Sequence, residues 1–199
     1  KEIIATLPIE TFPGKIVVID NERDADNAVL QLNNERIIGF DTETRPTFKK
    51  GKSNHVALIQ LSTHDTCYLF RINRIGFTPA IKNLLENESL LKVGISLKDD
   101  FCMLSRLNGG QFIPRNFIEL QKFVKKYNIE DQSLQKIYGI VIGKKISKGQ
   151  RLSNWEADHL TENQQLYAAT DAWSCIKIYE VLKSGKFKSP IYKIQPSSL

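Results

Sequence analysis

The sequence predicts an α/β domain in which a mixed β-sheet is flanked by helices. Short apolar runs typical of strands are concentrated in the first half of the chain, and helical patterns alternate with strands after that. No apolar run approaches the roughly 18 residues needed to span a membrane. We therefore expect a first group of mostly antiparallel strands, followed by strands that alternate with helices.

Each predicted strand is a short, mostly apolar run between polar or turn-forming residues. The runs lie at residues 16–19, 37–42, 56–61, 67–72 and 91–95. The third and fourth runs flank the polar segment Ser62-Thr63-His64-Asp65, which predicts a hairpin.

The predicted helices combine helical spacing of apolar residues with recognisable capping residues. Asn21 fits an N-cap, Pro79 fits a first turn, and Thr161 with Gln164 fits a capping box before a long final helix. The helices are expected at residues 24–32, 78–87, 99–107, 117–127, 133–138 and 161–183.

Length and composition fit one ordinary globular domain. The 199 residues are 41% hydrophobic and 25% charged, and we find no internal repeat or convincing linker. We expect a single domain over residues 1–199, with its core at about 16–183 and a peripheral tail at 186–199.

The three cysteines are widely spaced and form no CxxC pair. We interpret Cys67, Cys102 and Cys175 as reduced core thiols, with no disulfide-linked partner and a cytoplasmic, intracellular location. The three histidines have no zinc-ligand spacing.

A net charge of +6 favours a polyanionic partner. Two clusters contain most of the relevant charge: Arg45, Lys49, Lys50 and Lys52 in one, and Lys144, Lys145, Lys148 and Arg151 in the other. Each cluster alone fits a solvated loop. Two clusters that flank acidic residues favour a groove that follows phosphates.

Two pairs of residues that contain carboxylates indicate where chemistry takes place. Asp41 and Glu43 follow a buried strand at positions i and i+2, so both carboxylates share one face. Tyr167 and Asp171 are four residues apart in a helical pattern and also share a face. Like charges beside a core are costly unless a cation neutralises them, and Mg²⁺ prefers oxygen ligands. The alternative is a solvated strand end paired with Arg45.

Three segments in order resemble the motifs of the DEDDy family of 3′→5′ exonucleases, which includes ribonuclease D and Werner-type exonuclease domains. They are Phe40-Asp41-Thr42-Glu43, Val93-Gly94-Ile95-Ser96-Leu97-Lys98-Asp99-Asp100 and Tyr167-Ala168-Ala169-Thr170-Asp171. Ser153-Asn154-Trp155 also resembles the Werner-type pattern, and the resemblance covers roughly residues 16–182.

This resemblance implies a ribonuclease H-like three-layer fold and a metal-dependent 3′→5′ exonuclease that releases nucleoside 5′-monophosphates. The implied cofactors are two divalent ions, Mg²⁺ or Mn²⁺, and the implied partner is single-stranded or 3′-recessed nucleic acid. The implied metal ligands are Asp41, Glu43, Asp100 and Asp171, and Tyr167 would orient the attacking water.

The second motif contains two adjacent carboxylates, only one of which can face the site. Asp100 lies six residues after Gly94 and places Leu104 four residues later, as in the proofreading pattern of polymerases. Asp99 places Met103 there and stays an alternative.

Four residues near the motifs are candidates for substrate binding: Thr42, Lys52, His55 and Trp155. Trp155 follows a basic loop but also fits a core position. Phe48, in a polar loop, is a candidate for stacking on a base.

Two other functions are compatible with these patterns. One is a catalytically inactive nucleic-acid-binding module on the same fold, which has little use for a costly carboxylate cluster. The other is a metal phosphohydrolase that acts on small molecules, which the basic loops disfavour. The sequence does not distinguish DNA from RNA.

Overall fold

A six-stranded mixed sheet forms the centre of the computed structural model, which describes residues 2–48 and 54–188. The strands are β1 (Lys15–Ile19), β2 (Ile37–Thr44), β3 (Val56–Ser62), β4 (Thr66–Phe70), β5 (Leu91–Gly94) and β6 (Phe117–Glu119). Their order is β1-β4-β3-β2-β5-β6. The pairs β2–β3 and β3–β4 are antiparallel and the other three are parallel, which confirms the predicted mixed sheet.

Helices cover both faces of this sheet. They are α1 (Glu2–Thr6), α2 (Glu22–Leu32), α3 (Ile72–Ile75), α4 (Pro79–Leu85), α5 (Leu97–Leu107), α6 (Leu120–Phe123), α7 (Leu134–Ile142) and α8 (Glu162–Lys183), with a 3₁₀ turn at Val124–Tyr127. The predicted caps at Asn21 and Thr161 are confirmed, and Pro79 lies in the first turn of α4, which Thr78 caps. The side chains of Asn21, Thr78 and Thr161 each accept a backbone N–H three residues later. Among the described helices, none is long and apolar enough to cross a bilayer.

Two apolar cores lie on opposite faces of the sheet, so the fold has three layers. One core lies under α7 and α8, and the other lies under α2, α4 and α5. Helix α8 is buried on nearly all sides. It crosses β2 at Gly39, where a Cβ would lie 1.9 Å from the carbonyl oxygen of Ala172. Only glycine permits this approach, which brings the middle of α8 onto β2.

One predicted helix is wrong over its first three residues. Residues 117–127 form β6, then one turn of α6, then the 3₁₀ turn. Strand β5 offers an unpaired edge, and β6 pairs with it in parallel over three residues. Glu119 ends this strand, and its carboxylate accepts the backbone N–H groups of Ser96 and Leu97 at 3.0 and 2.8 Å. Tertiary pairing has therefore overridden the local helical pattern.

The prediction that the cysteines lie in the core is correct for two residues and wrong for the third. Cys67 and Cys175 are buried, and all three thiols are free. Cys102 is exposed, because it lies on the outer face of α5. Residues 189–199 lie outside the described part of the chain, so the single domain with a peripheral tail stays a prediction.

The segment before β1 is fastened to the helical layer. Phe12 is buried, and its N–H donates to the Thr170 hydroxyl at 3.0 Å. The Glu10 carboxylate accepts from the ammonium groups of Lys144 and Lys177 at 2.8 and 2.9 Å, and from the Tyr138 hydroxyl. Burial opposes ionisation of Glu10, but these donors outweigh it and lower its pKa to about 2.

Candidate active site

Strand β2 presents two carboxylates on one face of the sheet. Asp41 and Glu43 are two residues apart, and the sheet register places Asp41 opposite Gln60 of β3. The Gln60 amide donates to Asp41 Oδ2 at 3.3 Å. The register between β2 and β3 shifts directly after Glu43, so the regular pairing of the two strands is interrupted at the site.

Helix α8 adds a third carboxylate to this face. Asp171 is buried, and it directly precedes Ala172, the residue at which α8 crosses Gly39. One carboxylate oxygen from each of Asp41, Glu43 and Asp171 lies within 4.8 Å of the others. Asp171 Oδ1 is buried without a hydrogen-bond partner. A buried acceptor of this kind is costly, and a cation is one group that would satisfy it.

Helix α5 adds the fourth carboxylate through Asp100. The Thr42 hydroxyl donates to Asp100 Oδ1 at 2.5 Å, so Thr42 orients a carboxylate of the cluster. The charge of Asp100 acts on both Asp41 and Glu43. Asp99 is exposed on the outer side of α5. Of the two adjacent aspartates, the structure thus places Asp100 at the cluster.

Crowding and burial shift the pKa of all four carboxyl groups upward. Burial is the main cause at Asp41, whose pKa lies well above its ordinary value, and Glu43, Asp171 and Asp100 add to it. Burial, with the charges of Asp171 and Asp100, raises the pKa of Glu43 to about 9. Burial also raises the pKa of Asp100 to about 7 and that of Asp171 to about 7. Without a cation the cluster retains protons at neutral pH, which is the behaviour of a site built for positive charge.

Tyr167 lies one turn before Asp171 on the same face of α8, close enough for its hydroxyl and that carboxylate to affect each other's pKa. Burial, followed by the charges of Asp171, Glu43 and Asp41, raises the pKa of Tyr167 above its ordinary value of 10. The phenol is therefore neutral at physiological pH and acts as a hydrogen-bond donor.

Trp155 supports Tyr167 from behind and is not available to substrate. Its side chain is 0% exposed, and its ring centroid lies 6.0 Å from that of Tyr167. The prediction that Trp155 contacts substrate is wrong, because a side chain without accessible surface cannot touch a bound strand. The core alternative is correct.

The other substrate candidates are distributed unevenly around the site. His55 is exposed just before β3, and Thr42 faces Asp100. Lys52 lies outside the described residues. Phe48 is 87% exposed, so its ring is free to meet a base. No contact of His55 or Phe48 with the carboxylates is seen in the described part of the chain.

The second basic cluster is divided between folding and the site. Lys144 pairs with Glu10, and the Lys145 ammonium donates to the Ala5 carbonyl at 2.6 Å. Lys148 and Arg151 stay exposed, and the charge of Arg151 acts on Glu43. Ser147 and Gln150 of this loop also line a cavity of about 290 Å³ together with Tyr167 and Thr170, so the loop lies beside α8 near Tyr167.

Sequence reasoning missed two residues that support the site. Gln60 orients Asp41 from the neighbouring strand, and Glu119 caps α5 at the turn that presents Asp100. The signal for Gln60 was present, since a polar residue in an otherwise apolar buried strand needs a partner. Glu119 could not be found in this way, because its segment had been assigned to a helix.

A family model described as 3′-5′ exonuclease matches residues 16–185. The chain belongs to the 3′-5′ exonuclease family. This confirms the predicted resemblance to the DEDDy exonucleases and the assignment of the chain as an exonuclease.

Relatives and solved structures agree with the family. The mouse bifunctional 3′-5′ exonuclease/ATP-dependent helicase WRN is 35% identical over 193 residues, which cover 88% of this chain and 13% of that protein. A 3′-5′ exonuclease of Arabidopsis thaliana is 28% identical over 192 residues, covering 88% of this chain and 66% of that protein. The chain thus spans less than two thirds of either relative.

Two crystal structures show the same fold. The Aedes aegypti Nibbler EXO domain superposes with a TM-score of 0.78 at 23% identity, covering 88% of this chain and 91% of that one. Escherichia coli RNase D superposes with a TM-score of 0.75 at 20% identity, covering 86% of this chain and 45% of that one. These likenesses confirm the ribonuclease H-like fold.

Proposed function

We propose that this chain removes nucleoside 5′-monophosphates from nucleic-acid 3′ ends with two divalent ions, Mg²⁺ or Mn²⁺. The convergence of four carboxylates from β2, α5 and α8 carries this proposal. Their raised pKa values and the unpartnered Asp171 Oδ1 fit a set of ligands for hard cations.

The four carboxylates would divide the binding of the ions. Asp41, Glu43 and Asp171, whose carboxylate oxygens lie within 4.8 Å of one another, would hold the ions together with Asp100. When bound, a pair of ions would activate water and stabilise the leaving oxygen of an in-line displacement. Thr42 and Gln60 hold two of these carboxylates in place.

The neutral hydroxyl of Tyr167 would orient the attacking water. It lies one helical turn from Asp171, and its ring packs near the buried Trp155, so the ring is positioned before substrate binds. A tyrosine with a raised pKa is a poor base, and we assign it a positioning role by hydrogen bonding.

The partner we propose is a single strand or a recessed 3′ end. The charge of Arg151 acts on Glu43, and neither Arg151 nor the exposed Lys148 of the same loop forms an ion pair among the described residues, so both are available to phosphates. The RNA-bound structure of Trypanosoma brucei RNase D shares this fold, with a TM-score of 0.76 at 19% identity. We leave the choice between DNA and RNA to experiment, and a cytoplasmic location stays a prediction.

The decisive experiment is a timed digestion of matched, end-labelled DNA and RNA strands with Mg²⁺, with Mn²⁺ and with EDTA. We expect stepwise shortening from the 3′ end with metal only. Asp41→Asn and Asp171→Asn should each lower the rate on the order of 10³-fold or more while the fold persists. Activity in EDTA or shortening from the 5′ end would overturn the proposal. Strand binding without hydrolysis would favour the inactive binding module, and hydrolysis confined to mononucleotides would favour a small-molecule phosphohydrolase.

A further inference from the structure

A second surface, away from the carboxylates, combines half-buried aromatic rings with free lysines. The rings are those of Phe123, Tyr127, Tyr179 and Phe187. Phe123 lies 5.1 Å from Tyr179 and 5.6 Å from Tyr127, and Tyr127 lies 6.4 Å from Phe187, centroid to centroid. These contacts join the segment after β6 to the C-terminal end of α8 in one surface.

Six exposed lysines accompany these rings: Lys122, Lys125, Lys126, Lys183, Lys186 and Lys188. Together with the four rings they form what we call the lysine–aromatic surface. The ammonium of Lys126 lies 5.6 Å from the centre of the Phe123 ring. None of the six forms an ion pair with a described carboxylate, and the nearby Glu180 pairs with His64 instead. The positive charge of this surface is thus uncompensated.

An open cavity lies between the first turn of α5 and one end of this surface. Its volume is about 610 Å³, and it extends from the first turn of α5, where it is lined by Lys98 and Asp99, to Gln121 and Lys122. Phe101 and Phe117 contribute apolar side chains to its lining. Asp99 lies on the outer side of α5, so the cavity links that side of the helix with Lys122, at one end of the lysine–aromatic surface.

We propose that the lysine–aromatic surface holds the substrate strand upstream of its 3′ end. This inference rests on the proposed exonuclease function. Lysines bind phosphates, and the exposed parts of aromatic rings stack on bases without regard to sequence, a combination typical of single-strand binding. An acidic protein would match the lysines but would not explain the aromatic rings between them.

The helix geometry gives the distance over which this surface acts. Asp171 and Lys183 are twelve residues apart on α8, about 18 Å at a rise of about 1.5 Å per residue. A stacked strand rises about 3.4 Å per nucleotide, so the lysines would meet phosphates about five nucleotides from the 3′ end. A trinucleotide is too short to reach them.

The test compares two triple variants that remove equal charge. Lys122→Gln/Lys125→Gln/Lys126→Gln changes the surface, whereas Arg23→Gln/Arg36→Gln/Arg106→Gln changes exposed residues elsewhere. Each lowers the net charge from +6 to +3. Fluorescence anisotropy, in an Asp41→Asn background that prevents digestion, gives the Kd of a trinucleotide and of a 12-nucleotide strand at several salt concentrations. Rates of digestion of both strands are measured in the otherwise unchanged chain.

We expect the surface variant to weaken binding of the 12-nucleotide strand about tenfold, and to leave the trinucleotide within about twofold in affinity and rate. Loss of three phosphate contacts should lower the slope of log K against log salt by about 2. The control variant should change neither slope nor Kd beyond about twofold. Equal effects of the two variants, or equal effects on both strands, would overturn the surface assignment. If the unmodified chain neither binds nor digests any strand, the proposed function itself fails; if it does both and ignores the surface variant, only this inference fails.

Discussion

Replacing Glu43 with glutamine should make the metal-free protein more stable and the enzyme inactive. Glu43 is 8% exposed, and burial with the neighbouring carboxylates raises its pKa from 4.5 to about 9. Below pH 4.5 the side chain is protonated in both the folded and the unfolded chain. As the pH rises towards 9, the unfolded chain loses this proton first, so the folded state loses stability across that window.

The size of the effect follows from the width of this window. At pH 7, which is about 2.5 units above 4.5, the free energy of unfolding is lowered by about 3 kcal/mol at about 1.36 kcal/mol per unit. Glutamine keeps the shape of the side chain but does not titrate. We therefore expect Glu43→Gln to raise the free energy of unfolding in EDTA at pH 7 by about 3 kcal/mol, and by much less near pH 4.5.

Urea unfolding in EDTA between pH 4.5 and 9 measures this difference. Glu130→Gln, at an exposed carboxylate, is the matched control and should follow the unmodified protein throughout. Saturating Mg²⁺ should reverse the order, because only the unmodified site gains the full binding energy of the ion. A Glu43→Gln curve that runs parallel to that of the unmodified protein, or below it at pH 7, would refute the reasoning.

Four further substitutions have defined outcomes. Asp100→Asn should lower the rate of strand digestion on the order of 10³-fold, and Asp99→Asn only a few-fold; the reverse order would reassign the ligand. Tyr167→Phe should lower turnover by about 10²-fold or more in single-turnover assays while the Kd for strand and metal stays unchanged, since only the hydroxyl is lost; unchanged turnover would make it a packing residue. Lys92, which is fully buried, has a pKa lowered by burial to about 8, so it is charged and costly at pH 7. Lys92→Met should raise the free energy of unfolding there by about 1–3 kcal/mol, an advantage that fades between pH 8 and 10.5 in urea titrations.

The carboxylates could be predicted because each lies in a regular element with a fixed side-chain period. Alternation along a strand placed Asp41 and Glu43 on one face, and helical spacing placed Tyr167 and Asp171 on another. That these two faces meet depends on the close crossing at Gly39, which is a tertiary contact. Which of the two adjacent aspartates lies at the cluster also depends on a tertiary contact, the hydrogen bond from Thr42 to Asp100.

The failures have a common physical cause. Residues 117–127 have a helical pattern, but the first three of them pair with the open edge of β5. This pairing stabilises a strand there more than the local pattern stabilises a helix. Trp155 follows a charged loop, which favoured exposure, yet the chain turns inward and buries the indole against Tyr167. Cys102 shares the same limitation, since which face of α5 meets the core is decided by packing.

The segment before β1 packs on the rest of the fold and contributes to its stability. The family match begins at residue 16, but Phe12 already fills part of the core, and Glu10 neutralises Lys144 and Lys177. A chain shortened to the matched residues would leave a cavity beside α8 where Phe12 packs. It would also leave the ammonium groups of Lys144 and Lys177 without their shared counter-ion, Glu10. Boundaries drawn from family resemblance alone would therefore divide a cooperative unit, and the loop that carries Arg151 would be the first part to lose its anchor.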